Sequence, residues 1–232
     1  MKLRPNSPQI ISHPKKAFLT LEENITQKLK RKDKIDAKNF SYQLHDIGDA
    51  FVTRNEIESL NKHGRRFAET LVSLGDCNLA GIVYSLIIRL NPKHTTVVEQ
   101  VATNALAIAK RFNDPVHIMA RANDLKEIYK ISQHGSKKHL QILQTKKRAL
   151  TDICTNYEGV QKRYRSLKRE MRPVESYELK LAAIKFEIAE ILQKTNKNAA
   201  IEELNSAAQI LENHGNGNLT NKITNLLAEL KK

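Results

Sequence analysis

The stretch from Leu74 to Pro92 constrains the fold more than any other part of this sequence. It opens with a Leu-Gly-Asp turn and then carries a small residue, an aromatic residue and a proline at helical spacing, at Ala80, Tyr84 and Pro92. Gly-Asp is a turn signal because glycine tolerates backbone conformations that other residues avoid and aspartate hydrogen-bonds to its own backbone. The stretch therefore predicts the second half of a helix-turn-helix unit.

Helical periodicity continues on both sides of this stretch. Four consecutive helices are predicted at about 62–74, 77–90, 95–112 and 115–131. Asp114 and Pro115 fit the cap and the first turn of the last of these. The turns between them are short, and short connections force consecutive helices to run antiparallel as hairpins.

The two ends of the chain follow the same pattern. An amphipathic helix is expected from Lys15 to the polar run at 30–34, and a second of about a dozen residues after Gly48. Residues 137–171 predict one long amphipathic helix, because large apolar residues repeat every seven positions. Pro173 ends this helix. Three more helices are expected after it, from Val174 to Ile191 and at about 198–213 and 219–230.

Composition supports a helical chain. Aromatic residues make up 5% and tryptophan is absent, which suits helices packed by aliphatic seams better than a β-sandwich. We expect an all-α protein of antiparallel helical hairpins, stacked as an α-solenoid or a compact helical array, with almost no strand. The expected organisation is a flexible tail at 1–14, a hairpin region at 15–136, and a region at 137–232, continuous with the hairpin region, that consists of the long basic helix and C-terminal helical hairpins.

Residues 61–94 resemble a tetratricopeptide repeat, a helix-turn-helix unit of 34 residues. In the pattern of that family, Ala68 and Ala80 occupy small-residue positions and Gly75-Asp76 form the turn. Tyr84 occupies the aromatic position and Pro92 the proline position. Two positions depart from it: Gly64 stands where a large aromatic residue is common, and Ile87 replaces a usual alanine, which is expected to widen the spacing between the two helices. Degenerate units are expected at 95–131 and 181–214.

The resemblance implies a non-catalytic scaffold or adaptor that binds a peptide or a partner helix in a groove. Its members use the first helix of each hairpin for this, which places the candidate binding residues on helix 62–74: Lys62, Arg65, Glu69 and Val72. A guanidinium grips a carboxylate with two hydrogen bonds, so Arg65 is the leading candidate. The alternative is that these residues form a solvated helix face with ordinary i,i+4 pairs.

The charge distribution favours a second function, nucleic-acid binding. The formal net charge is +14, of which residues 137–172 carry +8. Positive side chains along a helix neutralise phosphates and release counterions. The candidate residues are Lys146, Lys147, Arg148, Lys162, Arg163, Arg165, Lys168 and Arg169. They flank Tyr157 and Tyr164, but both tyrosines fall on the apolar seam, where packing is their ordinary role.

No catalytic motif is present: the sequence has no HExxH, glycine-rich phosphate loop or GxSxG. We therefore expect neither an enzyme nor a cofactor. Cys77 and Cys154 are not in a CxxC pair, so no disulfide framework or metal site is expected. The first residues lack the apolar core of a signal peptide and no stretch is long enough to span a membrane, which predicts a cytoplasmic protein. The partner is expected to be another protein, and the pattern does not decide the oligomeric state.

Overall fold

The computed structural model describes residues 11–91, 95–132, 136–166 and 170–231 of the chain. All regular secondary structure in these ranges is helical, and no strand occurs in them. The all-α prediction is confirmed. The chain divides into two compact units, residues 1–112 and 113–232. The expected join between the two sequence regions, at 136/137, lies inside the second unit, because the helix before 136 packs closely on the helix after it.

The described part of the first unit contains five helices, α1 (Pro14–Lys30), α2 (Ala37–Thr53), α3 (Ile57–Ser73), α4 (Cys77–Leu90) and α5 (Thr95–Arg111). Each helix packs on the next, and α1 also contacts α3 while α2 contacts α4. The ion pair Arg66–Glu22 (2.9 Å) joins α3 to α1, and the ion pair Arg89–Asp49 (3.4 Å) joins α4 to α2. Successive hairpins are thus stacked side by side in this unit.

The α3–α4 hairpin forms at the predicted turn. Gly75 has a φ of +84°, which glycine adopts without the strain other residues meet. The Asp76 carboxylate caps α4 by accepting a hydrogen bond from the Leu79 backbone N–H (2.9 Å). Ala80 and Tyr84 are buried at the helix contact, whereas Pro92 lies outside the described residues.

Gly64 and Ile87, which depart from the tetratricopeptide pattern, face one another. A Cβ atom on Gly64 would lie 2.9 Å from Ile87 Cδ1 and 3.2 Å from its Cγ1. Ile87 is fully buried. The isoleucine therefore occupies the space that the missing side chain leaves, and the two departures compensate for each other instead of simply spreading the helices.

This compensation predicts a double-mutant result. We expect Gly64→Leu to lower the free energy of unfolding by about 2 kcal/mol, because overpacking a core contact costs about 1–3 kcal/mol. Ile87→Ala should cost about 3 kcal/mol through the cavity it leaves. In urea denaturation, the loss in free energy of unfolding of the double variant should be smaller than the sum of the two single losses by at least about 1 kcal/mol. Strictly additive effects would contradict a direct contact.

The position of α2 corrects the expectation of a helix that follows Gly48. The helix begins at Ala37, where the Asp36 carboxylate accepts hydrogen bonds from the backbone N–H groups of Lys38 (2.9 Å) and Asn39 (3.1 Å). Gly48 lies inside this helix. A Cβ atom there would come within 3.0 Å of methyl groups of Leu86 and Leu90. The glycine serves close helix packing and does not break the helix.

Four phenylalanines form the centre of the first unit. The Phe18 ring meets those of Phe51 and Phe67 edge-on, at centroid distances of 6.2 and 5.8 Å, and Phe40 meets Phe67 at 6.0 Å. Edge-to-face contacts of this kind add to the free energy of burial. They connect α1, α2 and α3 into one core.

A pair of buried amides ties the beginning of α3 to the end of α4. Asn61 Nδ2 donates to Asn91 Oδ1 (2.8 Å), and Asn91 Nδ2 donates to Asn61 Oδ1 (2.7 Å) and to the Ile87 carbonyl (2.8 Å). Both amides are thereby satisfied away from water, as buried polar groups require. The pair fixes the helix register next to Arg65.

In its described residues the second unit contains six helices, α6 (Pro115–Ser132), α7 (Lys137–Thr155), α8 (Tyr157–Ser166), α9 (Val174–Leu192), α10 (Lys197–Glu212) and α11 (Gly217–Leu230). The described part of the helix predicted over 137–171 is therefore two helices, divided at Asn156. Close pairs are α6–α7, α7–α9, α9–α10 and α10–α11. The hairpin expected at 95–131 corresponds to α5 and α6, which the boundary after Phe112 places in different compact units.

Two apolar clusters hold the second unit together. The first joins the seam of α7 to α9 through Leu143, Leu150, Tyr177 and Ile184. In the second, fully buried alanines let α9 and α10 approach closely: Ala182, Ala189, Ala200 and Ala207. Ile223 and Leu226 of α11 complete this cluster.

Candidate functional site

The predicted binding residues lie on one side of α3, with different exposures. Lys62 and Glu69 are exposed, while Arg65 is half-buried. Val72 is also half-buried and packs on the core of the first unit. The accessible part of this side therefore consists of Lys62, Arg65 and Glu69, and Val72 contributes mainly to packing.

Arg65 is held in place by two hydrogen bonds. Its Nε donates to the Asn61 carbonyl (3.3 Å), and its Nη1 donates to Gln100 Oε1 on α5 (3.5 Å). Asn61 is itself fixed by the buried amide pair. The guanidinium is thus positioned between α3 and α5.

Charges on this side of α3 act on a buried tyrosine of α4. Burial raises the pKa of Tyr84, the carboxylate of Glu69 raises it further, and Arg65 opposes the shift. Among the described side chains, no ion pair joins Glu69 to Lys62 or to Arg65. The i,i+4 pairs of the solvated-face alternative are not formed here.

Two residues of the basic segment are used in packing. Lys146 is 8% exposed, and its Nζ donates to Asn123 Oδ1 of α6 (2.7 Å). Lys147 forms an ion pair with Glu203 of α10, whose other oxygen lies 3.4 Å from Lys185 Nζ. Neither ammonium group belongs to an open basic surface.

The remaining basic residues are divided between exposed and undescribed positions. Arg148, Lys162, Arg163 and Arg165 are exposed, and Arg163 Nη1 donates to the Asn113 carbonyl (3.4 Å). Lys168 and Arg169 lie outside the described residues.

The two tyrosines of this segment are involved in internal contacts. Tyr157 is half-buried, and its hydroxyl donates to the Arg172 carbonyl (2.7 Å). Tyr164 is 5% exposed. Tyr164 is therefore closed to a nucleic-acid base, and the Tyr157 ring contacts that of Tyr177 at a centroid distance of 6.4 Å.

A cluster that the sequence did not predict joins α8 to the beginning of α6. The Asp114 carboxylate is 5% exposed; it accepts hydrogen bonds from the Tyr164 hydroxyl (2.9 Å) and from the His117 backbone N–H (3.1 Å), and its second oxygen lies 2.9 Å from His117 Nδ1. Burial alone would raise the pKa of Asp114, but the contacts with His117 and Tyr164 lower it well below its usual value. Only the capping role of Asp114 has a local sequence signal, since Tyr164 is 50 residues away.

A second polar cluster lies between α6, α7 and α9. Lys126 Nζ is 3.0 Å from Glu187 Oε1 and 3.2 Å from Glu127 Oε1. Burial lowers the pKa of Lys126, but the two carboxylates more than offset this and raise it. Burial, assisted by the nearby charge of Lys126, lowers the pKa of Lys146 to about 8.

The second unit also carries a groove of about 670 Å³, lined mainly by α9 and α11. Lys130 of α6 and His139 of α7 border it. Its apolar lining includes Ala183, Phe186 and Leu219, of which Phe186 and Leu219 pack on the core while remaining partly exposed. No sequence signal indicated this groove, because the repeat-like spacing at 181–214 covers α9 and α10, and α10 does not line it.

Within the described ranges, no group of three or more His, Cys, Asp and Glu side chains is arranged to hold a metal ion. Likewise, no described helix has both the length and the apolar character to cross a membrane. Cys77 and Cys154 are half-buried and are not joined in a disulfide, and burial together with the charge of Glu178 raises the pKa of Cys154 to about 11.

The chain matches no protein-family model and no curated protein. Solved structures similar to it include BtubC from P. vanneervenii, with a TM-score of 0.32, 9% identity, and coverage of 95% of this chain and 91% of that one. A designed helical repeat protein, DHR64, has a TM-score of 0.31 and 14% identity, covering 97% and 96%. A circular tandem repeat protein has a TM-score of 0.25 and 13% identity, covering 92% and 50%. TM-scores this low carry no argument about function.

Proposed function

We propose that this chain is a non-catalytic interaction module that binds a peptide or a partner helix on the α3 side of its first unit. The likeness of 61–94 to a tetratricopeptide repeat supports the proposal, as does the stacking of helical hairpins in that unit. Stacked hairpins present extended surfaces on which other chains bind. The partner is a protein, and Lys62, Arg65 and Glu69 provide its polar contacts.

The observation that carries the proposal is the placement of Arg65. Hydrogen bonds to Asn61 and Gln100 hold its side chain before any partner arrives. Holding an arginine in place reduces the entropy lost on binding. Because Arg65 is only half-buried and a guanidinium has five N–H donors, donors beyond these two hydrogen bonds are available to a carboxylate of a partner.

We expect Arg65→Glu to abolish capture of the partner in a pull-down from native lysate, with the bound protein identified by mass spectrometry. The free energy of unfolding should change by less than about 1 kcal/mol, because the side chain is partly solvated. Arg111→Glu, which makes the same charge change at an exposed position of α5, should capture the partner as the wild type does. Equal capture by both variants would remove Arg65 from the binding surface.

The same pull-down, repeated with nuclease, tests the alternative function, nucleic-acid binding through 137–172. Partners that survive nuclease agree with the proposed function. Partners lost on nuclease treatment, and also lost when Lys162, Arg163 and Arg165 are changed to glutamate, would assign the function to the basic segment instead.

A further inference from the structure

The α1–α2 tip, residues 28–38, carries a dense group of positive charges. Six cationic side chains occur in it, and all of them are exposed: Lys28, Lys30, Arg31, Lys32, Lys34 and Lys38. Within the described ranges none of the six forms an ion pair, whereas Arg66 and Arg89 of the same unit are both paired with carboxylates. The tip therefore presents positive charge that the chain does not neutralise by pairing.

The negative charges near the tip leave this excess in place. The Asp36 carboxylate is engaged as the cap of α2, where it accepts a hydrogen bond from the Lys38 backbone N–H (2.9 Å). Asp33 is exposed. Lys28 and Lys30, in the last turn of α1, offset the partial negative charge of that helix end. The remaining cations lie beyond the end of α1, so the surface of the tip stays positive.

The backbone of the tip is held in place. The Lys32 N–H donates to the Leu29 carbonyl (3.0 Å). The Asp33 N–H donates to the Lys28 carbonyl (2.9 Å), which completes a common way of ending a helix. Leu29 and Ile35 pack on the core of the first unit. The cations thus extend from an ordered turn, which reduces the entropy that is lost when a ligand binds them.

Lys32 occupies a backbone position that favours other residues. Three turns of the first unit share the same pair of hydrogen bonds, and their central residues, Lys32, Asn55 and Gly75, have φ values of +61°, +57° and +84°. Glycine and asparagine are the residues that adopt this left-handed conformation most readily. A lysine there gains nothing for the turn. Its exposed charge is what the residue contributes, and an outlier of this kind points to a function.

An exposed aromatic ring lies beside these cations. Tyr42 of α2 is 50% exposed, whereas the phenylalanines of the first unit's core are buried. It lies one helical turn after Lys38, whose Nζ is 5.9 Å from the centroid of the ring. An open ring next to cations suits an unpaired nucleic-acid base, because the base stacks on the ring while its phosphate meets the positive charge. The paired bases of a duplex are stacked on one another and are closed to such a ring.

We propose that the α1–α2 tip binds single-stranded nucleic acid, with an unpaired base stacked on Tyr42. The neighbouring phosphates contact four cations of the tip: Arg31, Lys32, Lys34 and Lys38. Positive charge alone attracts any polyanion, and the exposed ring favours a polyanion that carries bases. The inference goes beyond the protein-binding function proposed for α3, and it concerns a different surface from the basic segment 137–172.

The probe is a short fluorescein-labelled oligothymidylate, and its binding to the full chain is measured by fluorescence anisotropy. An abasic strand of the same length offers the same phosphates without bases. We expect saturable binding of the oligothymidylate and at least about fivefold weaker binding of the abasic strand, because stacking contributes to each base that meets a ring. Polyglutamate, added as a competitor, should displace the oligothymidylate less well than unlabelled oligothymidylate does.

Substitution of Tyr42 tests the stacking. Tyr42→Ala should weaken oligothymidylate binding at least about fivefold and leave binding of the abasic strand unchanged. Tyr42→Phe keeps the ring and should leave the Kd for oligothymidylate within about twofold of the wild-type value. Because the side chain is exposed, both variants are expected to fold.

The salt dependence tests the phosphate contacts. The tip variant combines three changes: Arg31→Ala, Lys32→Gly and Lys34→Ala. Glycine at position 32 keeps the turn. The slope of log affinity against log salt should become less steep by about 2, since each phosphate contact on a single strand contributes about 0.7. The control variant removes the same charge at exposed positions away from the tip, two of them at the opposite end of α1: Lys15→Ala, Lys16→Ala and Lys110→Ala. Its slope should equal that of the wild type.

Three results would overturn the inference: equal affinity for the two strands, no saturable binding, or equal slopes in the tip and control variants. Tighter binding of polyglutamate than of oligothymidylate would overturn it in favour of an acidic protein. Binding that survives in the tip variant but is lost when Lys162, Arg163 and Arg165 are changed to glutamate would assign the strand to the basic segment. Arg65→Glu should bind oligothymidylate as the wild type does, so this result is independent of the function proposed for α3.

Discussion

Asp114→Ala is expected to lower the free energy of unfolding of the second unit by about 3 kcal/mol. The change removes the cap of α6, which is worth about 1 kcal/mol. It also leaves the buried Tyr164 hydroxyl without its carboxylate acceptor, at a cost of about 1–3 kcal/mol, and it removes the partner of the His117 ring. The loss should fall on α6 and α8, the two helices that Asp114 connects.

Urea denaturation measures the overall loss, and hydrogen exchange with mass spectrometry locates it. Protection should fall in 115–132 and 157–166 and stay unchanged in 57–90, which lies in the other unit. Asp152→Ala, at an exposed position of α7, is the control and should cost less than about 0.5 kcal/mol. An Asp114→Ala variant as stable as this control would show that the cluster does not hold α8.

The same cluster has a defined pH dependence. Contacts with His117 and Tyr164 lower the pKa of Asp114 below its value in the unfolded chain. A group with a lowered pKa contributes stability above its unfolded pKa, about 3.9 for aspartate, and loses that contribution as the pH falls through the folded value. The stability difference between wild type and Asp114→Ala should therefore be full near neutral pH and shrink as the pH falls below about 4.

The sequence predicted elements whose signals are local. The α3–α4 hairpin follows from Gly75 and Asp76, and α6 follows from Asp114 and Pro115, because turn and cap residues act within a few positions. The start of α2 has a cap signal at Asp36, but the glycine at 48 suggests a boundary in the sequence, whereas it permits close packing on Leu86 and Leu90. A glycine's role depends on its neighbours in space, which sequence spacing does not show.

The candidate sites were harder to predict, because they depend on contacts between distant residues. Lys146 was grouped with a basic surface because of its charge, yet it follows Leu143 by three positions and precedes Leu150 by four, which places it on the buried seam of α7. The burial of Lys146 is thus predictable from sequence spacing. The spacing does not identify Asn123 as the partner of Lys146 or Tyr164 as the partner of Asp114. Likewise, the groove of the second unit needs two helices, α9 and α11, that are separated in sequence by α10.

Lys146→Met is expected to remove a pH dependence of about 2 kcal/mol from the stability of the second unit between pH 7 and pH 10. Burial lowers the pKa of Lys146 to about 8 in the folded chain; Lys126 and Lys180 lower it further, while Glu187 and Glu127 oppose the shift. Free lysine titrates near 10.4. Between these two values the unfolded chain binds more protons than the folded one, so this residue makes stability rise with pH.

Urea denaturation of wild type and Lys146→Met at several pH values measures the effect as a difference. At pH 7 the wild type carries the cost of a buried charge, partly offset by the hydrogen bond to Asn123 (2.7 Å). As the pH rises past 8 that cost disappears, and the wild type should gain stability relative to Lys146→Met. Lys162→Met, at an exposed position of α8, accounts for the loss of one positive charge. A difference between wild type and Lys146→Met that stays constant from pH 7 to pH 10 would mean that Lys146 keeps its proton, and that water reaches it through the layer between α6 and α7.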